Sequence, residues 1–193
     1  AELVASAYRR SFLQNQGVGL ASVRAGNVIG GGDWANDRLI PDILLSFERG
    51  ESVVIRNPKA TRPWQHVLEP LSGYLILAQK LYENQETYAE GWNFGPKEDD
   101  VKAVDWILNK MISKWPNSSW ELDVTCNPHE AKFLKLDISK AKSKLDWEPV
   151  WELTHTLEKI VAWHRAWLNQ EDMQAVSFTE IKEYMRDMNN ENN

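Results

Sequence analysis

The sequence has a single cysteine, no excess of positive charge and no long apolar run, and each absence excludes a class of protein. Cys126 cannot form a disulfide within the chain, which favours a reducing compartment such as the cytoplasm. The formal net charge of −6 argues against a nucleic-acid or membrane-surface partner, because both attract a basic face. No apolar run approaches the roughly 18 residues that a membrane-spanning helix needs.

Several motifs of catalysis and metal binding are also absent. The chain contains no Gly-x-Gly-x-x-Gly phosphate fingerprint and no zinc, Walker or Ser/His/Asp pattern. His155 and His164 lie nine residues apart on one predicted helix, which is not the spacing of metal ligands. Cys126 has no histidine at a spacing that indicates a nucleophile and its base. We therefore predict neither a metal site nor a catalytic residue within these residues.

The spacing of apolar residues predicts an α/β protein. In the first half, strands at 20–24, 53–55 and 91–95 alternate with helices at 39–49 and 68–82. Such alternation is typical of a parallel sheet with helical crossovers. Residues 1–13 already have helical spacing without a preceding N-cap, so we expect this helix to begin upstream of Ala1 in a longer protein.

The second half predicts a mixed, helix-rich lobe. We expect helices at 104–115, 139–145 and 153–168, and short strands at 120–124 and 134–136. A last helix is predicted to begin at a capping box formed by Ser177 and Glu180. Residues 62–67, which contain a proline, are predicted to form a loop between the two halves of the alternating pattern.

Arginines near predicted loops are the best candidates for ligand binding. Arg38, Arg56 and Arg62 all fall between positions 38 and 62. A guanidinium group matches the geometry of phosphate oxygens, and Pro63 with Trp64 would hold Arg62 in a fixed place. Three solvated surface arginines are the alternative. If the cluster is a site, its fixed positive charge predicts phosphate binding rather than catalysis.

A glycine-rich segment follows the first predicted strand. Asn27 lies where this strand is expected to become a loop, and glycines 30–32 would let the backbone approach a ligand closely. A flexible turn is the simpler interpretation of three glycines, so the loop alone does not identify a site. His66 and His129 also lie on predicted loops, where each could contact a ligand or satisfy a backbone group.

Five runs of sequence around these residues resemble a known enzyme family. The runs are Arg24–Trp34, Arg38–Asp42, Ile55–Pro58, Arg62–Pro70 and Trp92–Pro96. They are similar to the sugar-nucleotide enzymes of the extended short-chain dehydrogenase/reductase family, the NAD-dependent epimerases and dehydratases, and the resemblance extends from Ala1 to about Met185. The Gly-Gly-Gly-Asp-Trp and Arg-Pro-Trp-Gln-His-Val-Leu-Glu-Pro runs are narrower, and they favour dehydratases that act on CDP-glucose.

The resemblance implies the C-terminal part of an extended Rossmann-type, doubly wound α/β fold. Residues 1–29 and 66–95 would be the remainder of the NAD-binding domain. Residues 30–65 and 96–193 would form a smaller, mixed α/β lobe that binds the sugar nucleotide. The resemblance also implies a homodimer of the longer protein, with the first helix in a dimer-forming helix pair.

The reaction that the resemblance implies is the NAD-dependent 4,6-dehydration of CDP-glucose, a step towards 3,6-dideoxyhexoses of lipopolysaccharide. Hydride passes from C4 of the hexose to NAD, water is lost across C5 and C6, and hydride returns to C6. A Tyr-x-x-x-Lys pair drives the oxidation in this family. Lysine does not occur four residues after any tyrosine of the chain, namely Tyr8, Tyr74, Tyr82, Tyr88 and Tyr184. The chain is therefore expected to lack a complete catalytic site.

The resemblance carries over a substrate site residue by residue. The matching positions are Asn27, Arg38, Leu39, Val54, Ile55, Arg56, Arg62, Asn93 and His129. Asn27 matches the contact to sugar and diphosphate, Arg62 matches the diphosphate arginine, and the strand of Arg56 matches the edge that lines the base. His129 is only a candidate, because it lies where related dTDP-sugar dehydratases have a second phosphate arginine. Ala25 and Gly26 match positions that contact the cofactor.

Two other hypotheses stay open from the sequence. The chain could belong to a different enzyme of the same family, such as an epimerase or a dTDP- or GDP-sugar dehydratase. It could also be a free-standing lobe that binds nucleotide sugars through Arg38 and Arg62 without chemistry.

Overall fold

A computed structural model describes residues 1–124 and 134–191 of the chain. Helix α1 (Glu2–Tyr8) continues through a π-helical segment (Arg9–Leu13) and a short 3-10 turn (Gln14–Gln16). It ends at Gly17, whose φ of 67° lies in the left-handed region that favours glycine. The predicted end of the first helix is therefore confirmed.

The other helices follow the predicted order closely. They are α2 (Leu39–Arg49), α3 (Leu68–Glu83), α4 (Gln85–Tyr88), α5 (Val104–Ile112), α6 (Ser139–Leu145), α7 (Leu153–Leu168) and α8 (Met173–Glu191). Helix α2 ends at Gly50 in the left-handed conformation, as its sequence predicts. No helix among residues 1–124 and 134–191 combines the length and apolar character needed to cross a bilayer.

The described strands pair two by two. Three pairs are parallel: β1 (Ser22–Ala25) with β6 (Gly91–Phe94), β2 (Asn27–Ile29) with β5 (Trp64–His66), and β3 (Val53–Ile55) with β8 (Trp120–Leu122). The fourth pair, β4 (Thr61–Arg62) with β7 (Lys102–Ala103), is antiparallel. The parallel pairs, separated along the chain by helices, confirm the predicted α/β arrangement.

The chain changes strand partners at Gly26. The N–H of Gly26 donates to the carbonyl of Phe94 at 3.1 Å, whereas the next N–H, that of Asn27, donates to the carbonyl of Pro63 at 2.7 Å. A Cβ on residue 26 would lie 2.2 Å from the Pro63 oxygen, so only glycine fits at this crossing. Asn27 is thus the first residue of β2 and not, as predicted, the start of a loop.

Two apolar clusters hold these elements together. The larger core joins α2, β3, α5 and α7, and its buried members are Ile29, Ile40, Ile43, Leu44, Phe47, Val53, Ile55, Ala60, Trp64, Val104, Ile107, Leu108, Met111, Leu153, Leu157, Ile160 and Val161. The smaller core joins α3, β6 and α6, and its members are Leu77, Trp92, Phe94, Ala141, Leu145 and Trp147. Their close packing is the main favourable contribution to the stability of the fold.

Three local predictions are wrong. Residues 62–67 are not a simple loop, because they contain the end of β4 and the whole of β5. The described residues 134–136 do not form a strand. Helix α8 begins before Ser177: the Asp172 carboxylate accepts hydrogen bonds from the N–H groups of Gln174 and Ala175, and this caps the helix.

Candidate functional site

An open cavity of about 920 Å³ lies beside β2, the start of α2 and the end of β3. Residues 26–29, 37–42 and 54–57, with Asp33 and Ala35, form most of its wall. It brings together seven of the predicted substrate-site residues, Asn27, Arg38, Leu39, Val54, Ile55, Arg56 and Arg62. Its volume falls within the range of small-molecule sites, about 300–1,000 Å³.

The arginines give this cavity fixed positive charge. The guanidinium groups of Arg38 and Arg56 form no hydrogen bond or ion pair to any described residue. Arg62 donates from Nη1 to the carbonyl of Thr61 at 2.9 Å. Because a guanidinium group matches the geometry of phosphate oxygens, two arginine side chains without ion-pair partners on one cavity wall favour a phosphate-bearing ligand.

Local structure fixes where these arginines lie. Arg38 is the N-cap residue of α2, so the first turn of that helix, with its positive dipole end, lines the cavity. Arg62 is held in the β4–β7 pair opposite Lys102. Pro63 and the buried Trp64 follow it, which agrees with the predicted rigid placement of this side chain.

Carboxylates also line the cavity, and the sequence interpretation missed them. They are Asp33, Asp37 and Asp42. Asp33 forms a local hydrogen bond, in which its Oδ1 accepts from the N–H of Ala35 at 3.0 Å. Desolvation and then the neighbouring Asp37 carboxylate raise the pKa of Asp42, while Arg56 acts in the opposite direction. Acidic residues are common in an acidic chain, so no local pattern in the sequence singles these out.

The glycine-rich loop has a different role from the predicted one. A Cβ on Gly31 would lie 2.2 Å from the indole of Trp163, and one on Gly30 would lie 2.9 Å from the Val67 side chain. Trp34, at the end of the same loop, packs on Trp167 with ring centroids 4.5 Å apart. The glycines therefore allow the loop to pack on α7, which positions residues 33–38 on the cavity wall.

Other predicted site residues lie elsewhere. Asn93 does not line the cavity, and its Nδ2 donates to the carbonyl of Asp137 at 3.0 Å. Ala25 also lies outside the cavity wall. His129 falls outside the described residues. His66 is fully buried, accepts from the N–H of Leu68 and faces Glu180 at 3.0 Å, so it satisfies structural groups rather than the cavity.

A buried carboxylate anchors the elements behind the site. Glu69, at the start of α3, is fully buried and accepts from the N–H groups of Val150 and Trp151 and from the Tyr184 hydroxyl, at 2.8–2.9 Å. Desolvation raises the pKa of Glu69, and these hydrogen bonds, with His66, oppose the shift. Glu69 therefore joins α3 to α8 and to the segment that precedes α7.

The residues predicted to contact a dinucleotide offer little room for one. Gly26 lines the cavity, but the space of its missing Cβ is taken by the carbonyl of Pro63 and not by an open cradle. Ala25 ends the same strand and pairs with Phe94. These two residues could supply one edge of a nicotinamide site, and they do not form a phosphate cradle. Within residues 1–124 and 134–191, no cluster of His, Cys, Asp or Glu could hold a metal ion.

Comparison with curated proteins identifies a close relative. The chain is 59% identical over 191 residues, or 96% of its length, to CDP-glucose 4,6-dehydratase of Salmonella typhimurium. It spans only 53% of that relative, about half of its length. The resemblance predicted from the glycine-rich and Arg-Pro-Trp runs is thus confirmed. No family model matches the chain.

Solved structures establish the fold. The UDP-glucuronic acid 4-epimerase of Bacillus cereus matches with a TM-score of 0.66 and 21% identity, over 85% of this chain and 49% of the epimerase. The NAD complex of dTDP-glucose 4,6-dehydratase from Bacillus anthracis matches with a TM-score of 0.67 and 18% identity, over 84% and 49%. The predicted fold class, part of an extended Rossmann-type α/β fold, is therefore confirmed. The chain is similar in sequence to about half of a CDP-glucose 4,6-dehydratase and shares its fold with sugar-nucleotide epimerases and dehydratases.

Proposed function

We propose that the chain supplies the sugar-nucleotide-binding part of an NAD-dependent dehydratase that converts CDP-glucose to CDP-4-keto-6-deoxyglucose. One observation carries this proposal: a single cavity collects Asn27, Arg38, Arg56 and Arg62, which lie on or beside four different elements and which the resemblance assigns to one substrate site. The similarity to a CDP-glucose 4,6-dehydratase at 59% identity supports the choice of ligand.

In this proposal each part of the cavity takes a different part of the substrate. Arg38, Arg62 and the N-terminal end of α2 hold the diphosphate, because they combine fixed charge with backbone donors. Val54, Ile55 and Arg56 on β3 line the nucleotide base, with Leu39 over the substrate. Asn27 reaches the sugar side of the diphosphate. Asn93 and His129 stay predictions at the edge of the site.

The redox step needs groups that this chain does not contain. NAD would accept and return the hydride, and a tyrosine–lysine pair would act as the base, but no Tyr-x-x-x-Lys occurs among the 193 residues. The role of the chain is to bind and orient the nucleotide sugar, with Ala25 and Gly26 at one edge of the cofactor. By resemblance, we also propose a cytoplasmic homodimer that does not bind nucleic acid or membranes.

The same proposal divides the chain between two domains. Residues 1–29 and 66–95 would complete the NAD-binding domain, and 30–65 and 96–193 would form the substrate lobe. The larger core supports this division, because all of its members except Ile29 lie in the proposed substrate lobe, at 40–64 and 104–161. Residues 141–147 do not follow this division: they belong to the proposed substrate lobe, but they pack in the smaller core with Trp92 and Phe94 of the proposed NAD-binding part.

Nucleotide binding to the protein that carries this chain tests the proposal. Calorimetry with CDP, dTDP and GDP is expected to give the tightest binding for CDP. The Arg38→Gln variant should bind CDP about tenfold or more weakly, because a charge-assisted hydrogen bond to phosphate is lost. Lys59→Gln is the matched control. Lys59 does not line the cavity, and its Nζ lies 2.6 Å from a carboxylate oxygen of Asp105, so loss of its charge should leave CDP binding unchanged.

Two results would contradict the proposal. Equal affinity for all three nucleotides would remove the CDP assignment. An unchanged affinity in Arg38→Gln would show that the cavity does not hold the diphosphate.

A further inference from the structure

Two carboxylates on the wall of the cavity have no structural role that explains them. Asp37 and Asp42 both line the cavity, and neither carboxylate forms a hydrogen bond or ion pair to any described residue. A carboxylate beside a diphosphate site weakens anion binding, since like charges repel across a short distance. A ligand group that donates hydrogen bonds would offset this cost.

Asp42 lines the same cavity as Arg56, the residue that the proposed function places beside the base. Asp42 is in the first turn of α2, one turn after Arg38, and α2 packs against β3. Its electrostatic neighbours are Asp37 and Arg56, and Arg56 directly follows the last residue of β3. The Asp42 carboxylate and the Arg56 guanidinium therefore present an acceptor and a donor near the same strand edge.

Pyrimidine bases differ in the groups that such a pair would meet. Cytosine carries a donor, the N4 amine, next to the acceptors N3 and O2. Uracil and thymine carry an acceptor, O4, at the same position and a donor at N3. An ionised carboxylate only accepts hydrogen bonds, so it pairs favourably with the cytosine amine and repels the O4 oxygen of uracil.

We propose that Asp42 selects cytosine by accepting a hydrogen bond from the N4 amine of the base, with Arg56 available to donate to the acceptor edge. This inference rests on the proposed binding of a CDP-sugar and goes beyond it, since it assigns nucleotide specificity to one carboxylate.

Binding of CDP and UDP to the protein that carries this chain tests the inference. These two nucleotides share the ribose and the diphosphate, so a difference between them reports the base edge alone. The wild-type protein should bind CDP about tenfold or more tightly than UDP. In Asp42→Asn the preference should fall to about one, because the amide can donate to uracil O4 as well as accept from cytosine N4. In Asp42→Leu, CDP binding should weaken without any gain for UDP.

Asp33→Asn is the matched control. It removes a negative charge from another point on the same wall, where Asp33 is already engaged with the N–H of Ala35. Loss of that charge should change CDP and UDP binding by the same factor. If Asp42→Asn also changes the affinities for CDP and UDP by the same factor, Asp42 acts through its charge, a ribose hydroxyl or helix stability, and the inference is wrong.

The outcomes separate this inference from the proposed function. A wild-type preference for CDP that persists in Asp42→Asn and Asp42→Leu would overturn the role of Asp42 and leave the proposed function standing. A wild-type protein that binds CDP and UDP equally would overturn both. Weak CDP binding in Arg38→Gln, together with a lost preference in Asp42→Asn, supports both.

Discussion

The two apolar cores of the molecule are tightly enclosed, in contrast to the apolar residues near its N-terminus. In the larger core, Ile43, Ile107 and Leu157 are at most 1% exposed, and α2, α5 and α7 surround them. The smaller core is equally tight around Trp92 and Phe94, which are fully buried against α3 and α6. The region that adjoins it is not enclosed in this way.

Apolar side chains near the N-terminus are largely exposed. On the first helix and its π-helical extension, Leu3, Val4, Tyr8 and Phe12 are 53–87% exposed, and Val23 on β1 is 40% exposed. The same residue types therefore carry different energetic weight in the two regions. The cavity takes most of its wall from elements of the larger core, so its shape should depend on that core far more than on the N-terminal residues.

The largest effect on stability is expected from removing the buried Glu69 carboxylate. Glu69→Ala would leave the partly buried N–H of Val150 and the buried N–H of Trp151 without their acceptor. Each orphaned buried donor costs about 1–3 kcal/mol, so we expect a loss of about 4 kcal/mol in the free energy of unfolding. Denaturant unfolding of the two proteins measures the difference.

Tyr184→Phe is the control for this substitution. It removes the hydroxyl that donates to Glu69 at 2.8 Å but keeps both backbone hydrogen bonds, so its cost should be about 1 kcal/mol. If Glu69→Ala costs no more than Tyr184→Phe, the carboxylate does not tie α3 to the segment before α7.

A matched pair of leucine truncations sharpens the comparison between the regions. Leu157→Ala in the larger core removes a side chain that is 1% exposed, and it should destabilise the fold by about 3 kcal/mol. Leu3→Ala removes the same atoms from a side chain that is 87% exposed, and it should change stability by less than about 0.5 kcal/mol. Thermal unfolding of both variants checks the difference, and similar losses would mean that the N-terminal face is covered in solution.

The sequence predicted the helices better than the short strands, for a physical reason. Helix α2 is set by local features, an apolar stripe and the glycine at position 50, and its bounds agree with the prediction. Strands β4 and β5 depend on partners far along the chain, β7 and β2, and Pro63 between them reads locally as a turn. Long-range pairing of two or three residues leaves no periodic pattern.

The candidate site also combines features that local sequence predicts with features that depend on long-range contacts. The grouping of the three arginines was predictable from their positions near loops, and phosphate binding by them stays a prediction. The change of strand partner at Gly26 and the contact of Gly31 with Trp163 could not be predicted, because both glycines make room for residues distant in sequence. Ser177 was mistaken for a helix cap, and its hydroxyl instead accepts from Nε1 of Trp163 on α7.

The smallest effect concerns where α8 begins beside the larger core. Asp172→Ala removes the side chain that accepts from the N–H groups of Gln174 and Ala175, so we expect a loss of about 1 kcal/mol in the free energy of unfolding. Thr179→Ala, at an exposed position in the same helix, should change it by less than about 0.5 kcal/mol. Denaturant unfolding resolves this difference when the unfolding free energies of the variants and the wild-type protein depend on denaturant concentration with the same slope. Equal stability of Asp172→Ala and the wild-type protein would mean that Asp172 does not cap α8.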